Sequence, residues 1–352
     1  MCASGRCMKM IYVNKNRDIS CEEWTQIVQE LGLYDKLRNA REIVIKPNFA
    51  AGTYVDPKTH VMTDQDLLRS AIVFAHSVNP EAVISIAEAD STGYGFAFLK
   101  FEHLELPRSL QLPEEAQKKV VLLDLSRDRL QRVEDKKLIR YTNMDCQLWL
   151  SKKLLEADFV INLSNLKTHT VTGYTGACKN LFGCLPDFEK YHNHPFIHQT
   201  IHDLVIAIHP DLNVVDAFYG MERNGPVQGV DVDSGYRVFS DDPLEADSYA
   251  AATIGYRPEK VKYLRLLSRT LAVELTSDAK VVKKYKKASC FVRVMNSVGL
   301  GIQRFGLAVE TFGHRIHTCP NVVNLCITIA RPALLRLFDY EQLKAWKRKL
   351  MK

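Results

Sequence analysis

Residues 167–183 hold the side chains best suited to chemistry: Lys167, His169 and Lys179, set among Gly173, Gly176 and Gly183 and the polar Thr172, Thr175 and Asn180. Imidazole titrates near neutrality without help, so His169 can move a proton. A lysine amine such as Lys179 can anchor a carbonyl compound as an imine, or stabilise an oxyanion or enolate. The segment follows the apolar run 158–163 and reads as a loop, too polar and too Gly-rich for a core. Loops leaving the carboxyl ends of α/β strands are where such sheets hold ligands. The plainer alternative is a solvated loop whose Thr and Asn side chains close turns. A histidine cluster just downstream favours the functional reading.

Three more strand ends carry polar groups. Glu88-Ala89-Asp90 follows the strand-like run 82–87, Lys46-Pro47-Asn48 closes 42–46, and Asp216 closes 213–216. None of these is a G-x-G-x-x-G dinucleotide fingerprint. In a parallel sheet Lys46, Asn48, Glu88, Asp90, Lys167, His169, Lys179 and Asp216 would converge on one edge, as a cationic pocket suited to a carboxylate or phosphate. Glu88 and Asp90 thus join His169 and Lys179 as candidate catalytic groups. Lys46, Asn48, Lys167, Thr172, Thr175, Gly176, Asn180 and Asp216 are candidate ligand contacts. The competing readings are an Asp–Gly turn at Asp90 and an ordinary strand-end lysine at Lys46. His194, His198 and His202 are spaced i, i+4, i+8, which sets them on one helix face. A pair at that spacing can chelate zinc or nickel, making His194 and His198 candidate metal ligands. Histidines that each make one hydrogen bond are the alternative.

Alternating strands and helices must position these groups. Strands are expected at 42–46, 82–87, 119–124, 158–163, 213–216 and 236–239. Helices are expected at 64–76 with Thr63 as N-cap, at 148–156, and at 243–254 behind Asp242-Pro243. This order predicts an α/β fold: a mostly parallel sheet with helices on both faces, plus a C-terminal helical extension. At 352 residues the chain has room for about two domains. The expected division is a lead-in over 1–41, the α/β core over 42–268 and a basic, mainly helical extension over 269–352.

Net charge is +6 and uneven, with basic stretches at 257–287 and in the tail. A basic amphipathic helix is expected over 332–350, a candidate for peripheral membrane contact; a solvated helix face is the simpler account. Without aromatic platforms or zinc-finger spacing, nucleic acid is not an expected partner. The nine cysteines include no C-x-x-C, so no iron–sulfur cluster is expected and reduced thiols in a cytoplasm are. No apolar run is long enough for a transmembrane segment, and the first residues lack a signal-peptide stretch.

Several ordered motifs carry a family resemblance: Lys46-Pro47-Asn48, the run 157–163, Leu166-Lys-Thr-His169, Lys179-Asn-Leu-Phe-Gly183, Gly225-Pro226-x-x-Gly229 and Asp242-Pro243-x-x-x-Asp247. Over about residues 42–264 the chain resembles the family catalogued as domain of unknown function 362. Some members carry ferredoxin-type clusters, whose cysteines are absent here. More distantly, the chain is similar to the N-terminal domain of nickel-pincer lactate racemases. His169 and Lys179 have that family's ten-residue spacing, Gly173–Lys179 is analogous to its glycine loop, and Asn193-His194 follows some fifteen residues later. The resemblance implies a proton-transfer role for His169, an anchoring role for Lys179 and a ligand role for His194. Thr175 and Ala177 depart from the loop pattern, and Glu88 and Asp90 stand where that family places a catalytic His.

The resulting expectation is a cytoplasmic enzyme of isomerase or lyase type, acting on a small anionic substrate with a His/Lys pair; a transferase or ligase step stays open. The cofactor is unknown, with a divalent metal as one candidate. A non-catalytic metal- or ligand-binding protein using the 192–209 histidines is the alternative. A homodimer is one role for the C-terminal part.

Overall fold

The computed structural model describes residues 10–49, 60–91, 95–141, 147–187, 190–227, 229–275, 279–290 and 292–302. Its strands are β1 (Ile11–Asn14), β2 (Glu42–Lys46), β3 (Val83–Glu88), β4 (Val120–Asp124), β5 (Leu130–Val133), β6 (Leu148–Ser151), β7 (Phe159–His169), β8 (Gly173–Thr175), β9 (Leu212–Glu222), β10 (Val230–Asp233) and β11 (Arg237–Ser240). The main sheet runs β1-β11-β9-β7-β2-β3-β4, with β8 on β7 and β10 on β9. From β9 to β4 every neighbour is parallel, and the β1 and β11 edge is antiparallel. This is the expected α/β fold.

Alternation along the central strands feeds two cores. Ile43 and Ile45 of β2 and Phe159, Ile161 and Leu163 of β7 face one, while Val44 and Val160 face the other. Trp24, from the helix Cys21–Glu30, stacks on Phe74 at 5.5 Å and meets Phe239 edge-on at 5.4 Å, joining a helix layer to the sheet. The helices Ile197–Ile208, Pro243–Thr253 and Lys262–Leu271 cover the opposite face.

Three local expectations are corrected. The helix Gln65–Val78 is capped by Asp64, not Thr63. The Thr63 hydroxyl instead accepts from the Asn48 N–H at 2.7 Å and donates to the Leu163 carbonyl at 3.0 Å, tying the end of β2 to β7. Residues 148–156 are not one helix. Leu148 and Leu150 are buried around an exposed Trp149, a period of two that makes them β6, paired with β5. Finally, β7 does not stop at Leu163. It runs on to His169 because β9 beside it and β8 folding back on it continue the pairing. The start of the supposed loop, Lys167–His169, is therefore buried strand, and the rest holds β8 and the short helix Ala177–Asn180.

The compact unit that carries the sheet extends through Arg293, and Tyr285, bonded to Ser234 at 2.9 Å, is buried in it. Of the second unit, residues 294–302 are described and are helical. The helix expected at 332–350 lies outside the described residues. Among the described residues no helix is long and apolar enough to cross a membrane.

Asp242 caps Pro243–Thr253 as expected, accepting from Leu244 N–H at 2.8 Å and Glu245 N–H at 3.1 Å. Asp242→Ala should cost about 1–2 kcal/mol, read as a lower midpoint in urea with an unchanged slope.

Candidate functional site

Three parallel strands and one turn of helix deliver the site. β2 ends at Lys46, β3 ends at Glu88, and β7 carries Lys167 and His169. The helix Ala177–Asn180 brings Lys179 and Asn180. These side chains line one cavity of about 340 Å³, together with Asn48, Thr175, Phe182, His194, Lys100 and Lys190. Placement at the carboxyl ends of parallel strands is where an open α/β sheet forms its crevice.

The turn that presents Lys179 is set by close packing. The Asp247 carboxylate accepts from the N–H groups of Ala177 at 2.6 Å and Cys178 at 3.0 Å. It reaches them because residue 176 has no side chain: a Cβ on Gly176 would lie 2.1 Å from Asp247 Oδ1. Gly176 therefore makes room for the clamp and does not contact the cavity. An amide network holds the strand ends in place. Asn162 donates to Asn213 at 3.0 Å, Asn180 donates to Asn162 at 2.8 Å and to the Lys46 carbonyl at 3.2 Å, and Asn48 donates to Asn165 at 3.1 Å.

His169 has a fixed protonation pattern. Its Nδ1 accepts from the Val171 N–H at 3.0 Å and the Thr172 N–H at 3.2 Å. A proton on Nδ1 would face two donors, so the neutral ring carries its proton on Nε2. Burial, then Lys179 and His194, hold its pKa well below the usual range. Burial and Lys179 also push His194 down to about 4. Its ring stacks on Phe182 at 5.7 Å, and the Lys179 amine lies 5.3 Å from the centre of that same ring.

Positive charge dominates the cavity. Lys46, Lys100, Lys167 and Lys190 are buried, and Lys179 keeps partial solvent contact. Burial pushes Lys179 down to about 8. Burial, with Lys179 nearby, pushes Lys167 to about 7. The one acidic side chain among the described lining residues is Glu88. Burial alone would raise its pKa, but Lys100, Lys46 and Lys190 outweigh that and hold it near 2. Glu88 is thus a permanent counter-ion and not a proton donor. The Thr175 hydroxyl is buried without a hydrogen-bond partner, and Thr175 lines the cavity, a pattern that calls for a ligand or ordered water.

Other expected residues have different duties. Asp90 accepts from Ala97 N–H at 2.7 Å, at the start of the helix Ala97–His103, and does not line the cavity. Asp216 is paired in the interior with Arg237 at 3.2 Å. Thr172 donates to the Tyr174 carbonyl and lines a smaller cavity of about 230 Å³ that shares His169. The three histidines do not share a helix: His194 lies in the 3₁₀ segment Lys190–Phe196, while His198 and His202 lie in Ile197–Ile208. His198 stacks on Tyr263 at 6.1 Å, and His202 bonds Asp203 and Thr270. Among the described residues no three His, Cys, Asp or Glu side chains gather as a metal site. Lys100 and Lys190 line the cavity and are not recognised from the sequence. A lysine inside Ala97-Phe-Leu-Lys100-Phe101, an otherwise apolar run, was the available signal for the first.

Fold and site together define an α/β protein with a cationic cavity at the carboxyl edge of a parallel sheet. The chain belongs to the family described as domain of unknown function (DUF362), whose model matches residues 43–252. It is 32% identical over 140 residues to the thylakoid-associated protein sll1697 of Synechocystis sp., a match covering 37% of this chain and 44% of that relative. The chain thus spans less than half of that relative's length. Among solved structures, the lactate racemase apoprotein from Thermoanaerobacterium thermosaccharolyticum is similar at 15% identity with a TM-score of 0.40, over 65% of this chain and 54% of that one. A glycine-rich loop holds an anionic cofactor through its backbone N–H groups. Here those of Ala177 and Cys178 are taken up by Asp247.

Glu88→Gln leaves the lysines around it without a counter-charge and should cost about 3–5 kcal/mol. The folded carboxyl titrates near 2 against the usual 4.5. Its contribution is therefore fully present above about 4.5 and is lost as pH falls toward 2. Urea midpoints of wild type and Glu88→Gln should differ most above pH 5 and converge only as pH approaches 2.

Proposed function

We propose that the chain is an enzyme acting on a small anionic metabolite by proton transfer beside a carbonyl or carboxylate, an isomerase or lyase type of reaction. The observation that carries this reading is the pairing, in one cavity, of a neutral imidazole whose Nδ1 is fixed by two backbone N–H groups with an amine brought down to about 8. An amine in that range is unprotonated often enough at neutral pH to act as a base. Lys179 takes the proton from the carbon next to the carbonyl, and the electron pair moves onto the carbonyl oxygen. His169 is a poor base, because its Nδ1 lone pair is occupied. Its Nε2–H serves instead as a hydrogen-bond donor to the developing oxyanion. The lysines supply the charge that draws the anion in, and the Thr175 hydroxyl is a further contact for it. Returning the proton to carbon completes an isomerisation; loss of a leaving group from the adjacent carbon completes an elimination.

Exchange from D2O tests this with the substrate still unidentified. Full-length protein incubated in D2O with a pool of small 2-oxo acids, hydroxy acids and phosphorylated carbonyl compounds should add deuterium to at least one member, seen by mass spectrometry. Lys179→Met should abolish the label, and His169→Phe should slow it by about 10²–10³-fold. A pool that stays unlabelled with folded wild-type protein overturns the reading.

A further inference from the structure

The cations of the cavity fall into two groups. Lys46, Lys100 and Lys190 surround Glu88, and the charges acting most on Lys100 and Lys190 come from Glu88 and from other lysines of that group. His169 feels Lys179, His194 and Lys167 instead. The cavity thus has an anchoring end and a reacting end.

Donor accounting shows what the anchoring end lacks. Lys46 donates to the Pro47 carbonyl at 2.6 Å and to Glu88 Oε2 at 3.1 Å. Lys100 donates to the Ala89 carbonyl at 2.9 Å and lies 3.3 Å from Glu88 Oε1. Lys190 donates to the Gly183 carbonyl at 2.9 Å. An ammonium has three donors. Among the described residues, one donor is left over on Lys46, one on Lys100 and two on Lys190. All three side chains are buried, where an unanswered charged donor is costly. When all three are protonated, three ammonium groups against one carboxylate leave two positive charges. A carboxylate would answer one of them, whereas a phosphate monoester answers both and offers three oxygens to the spare donors.

We propose that Lys46, Lys100 and Lys190, gathered around Glu88, form a subsite for a dianionic phosphate group, so that the substrate is a small phosphate monoester with its reacting carbonyl at the His169 and Lys179 end. The role of that second end rests on the proton-transfer reading; the phosphate subsite does not. The arriving dianion replaces water on the spare donors and raises the charged fraction of Lys190, which burial holds near 7 in its absence. Gly183 is part of the fit: a Cβ there would stand 3.0 Å from Lys46 Nζ.

Calorimetric titration of the full chain with inorganic phosphate and with acetate at pH 7.5 tests the subsite. Phosphate should bind at least about tenfold more tightly than acetate and should weaken as pH falls toward 5.5 and the ligand becomes a monoanion. Lys190→Met should weaken phosphate binding by about tenfold or more, and Lys179→Met should change it by less than about threefold. Gly183→Ala, which crowds Lys46 while keeping every charge, should weaken it as well, and thermal unfolding of each variant confirms folding. Phosphate binding that survives both Lys190→Met and Gly183→Ala, or acetate that binds as tightly, overturns the subsite while leaving D2O exchange as an independent test of proton transfer. Phosphate held as described by a protein that labels nothing in D2O retains the subsite and removes the proton-transfer reading.

Discussion

Buried positive charge is the constraint around which this site is organised. Five lysines line one cavity, while Glu88 is the one acidic side chain among its described lining residues. Moving an ammonium group out of water is expensive unless an opposite charge answers it. Two responses are visible. Around Glu88 the lysines share a carboxylate and backbone carbonyls. At Lys167 and Lys179, and at Lys190 within the Glu88 group, burial lowers the affinity for the proton. The same desolvation thus accounts for both halves of the proposal: a demand for an anion and a supply of neutral amine.

Such an arrangement holds only in a stiff frame. β7 is buried along its whole length although it carries Asn162, Ser164, Asn165, Lys167, Thr168 and His169. Many of their polar atoms are answered by segments distant in sequence: Asn162 by Asn213, Ser164 by the Val214 carbonyl, Asn165 by Asn48 and Thr168 by the Arg223 carbonyl. A satisfied buried network is rigid, and losing one member would leave the others unpaired. Asp247 plays the corresponding part for the turn at Lys179, from a helix seventy residues away in sequence.

The fold was legible because periodicity is local. The alternation in β2 and β3 and the Asp242-Pro243 helix start can be read from a few adjacent residues. So can the convergence of Lys46, Glu88, Lys167, His169 and Lys179, since parallel strands share one carboxyl edge. What escaped depends on distant partners. The polar half of β7 reads as a loop until Asn48 and Val214 are placed beside it, 117 and 50 residues away. Asp90 and Asp216 are acids at strand ends like Glu88. The first instead accepts from the Ala97 N–H and the second pairs with Arg237, partners that no local pattern marks. Lys190 lies far from any strand end, and its role rests on where the chain after Gly183 returns.

Protonation of the buried lysines is the most direct point of test. A site-resolved NMR titration of protein carrying ¹⁵N-labelled lysine side chains measures it. Lys167 and Lys190 should titrate near 7 and Lys179 near 8, far below the usual 10.5, and filling the cavity with an anion should move them upward. If all three titrate near 10.5 with the cavity open to water, the buried-charge account is contradicted, and the poised amine falls with it.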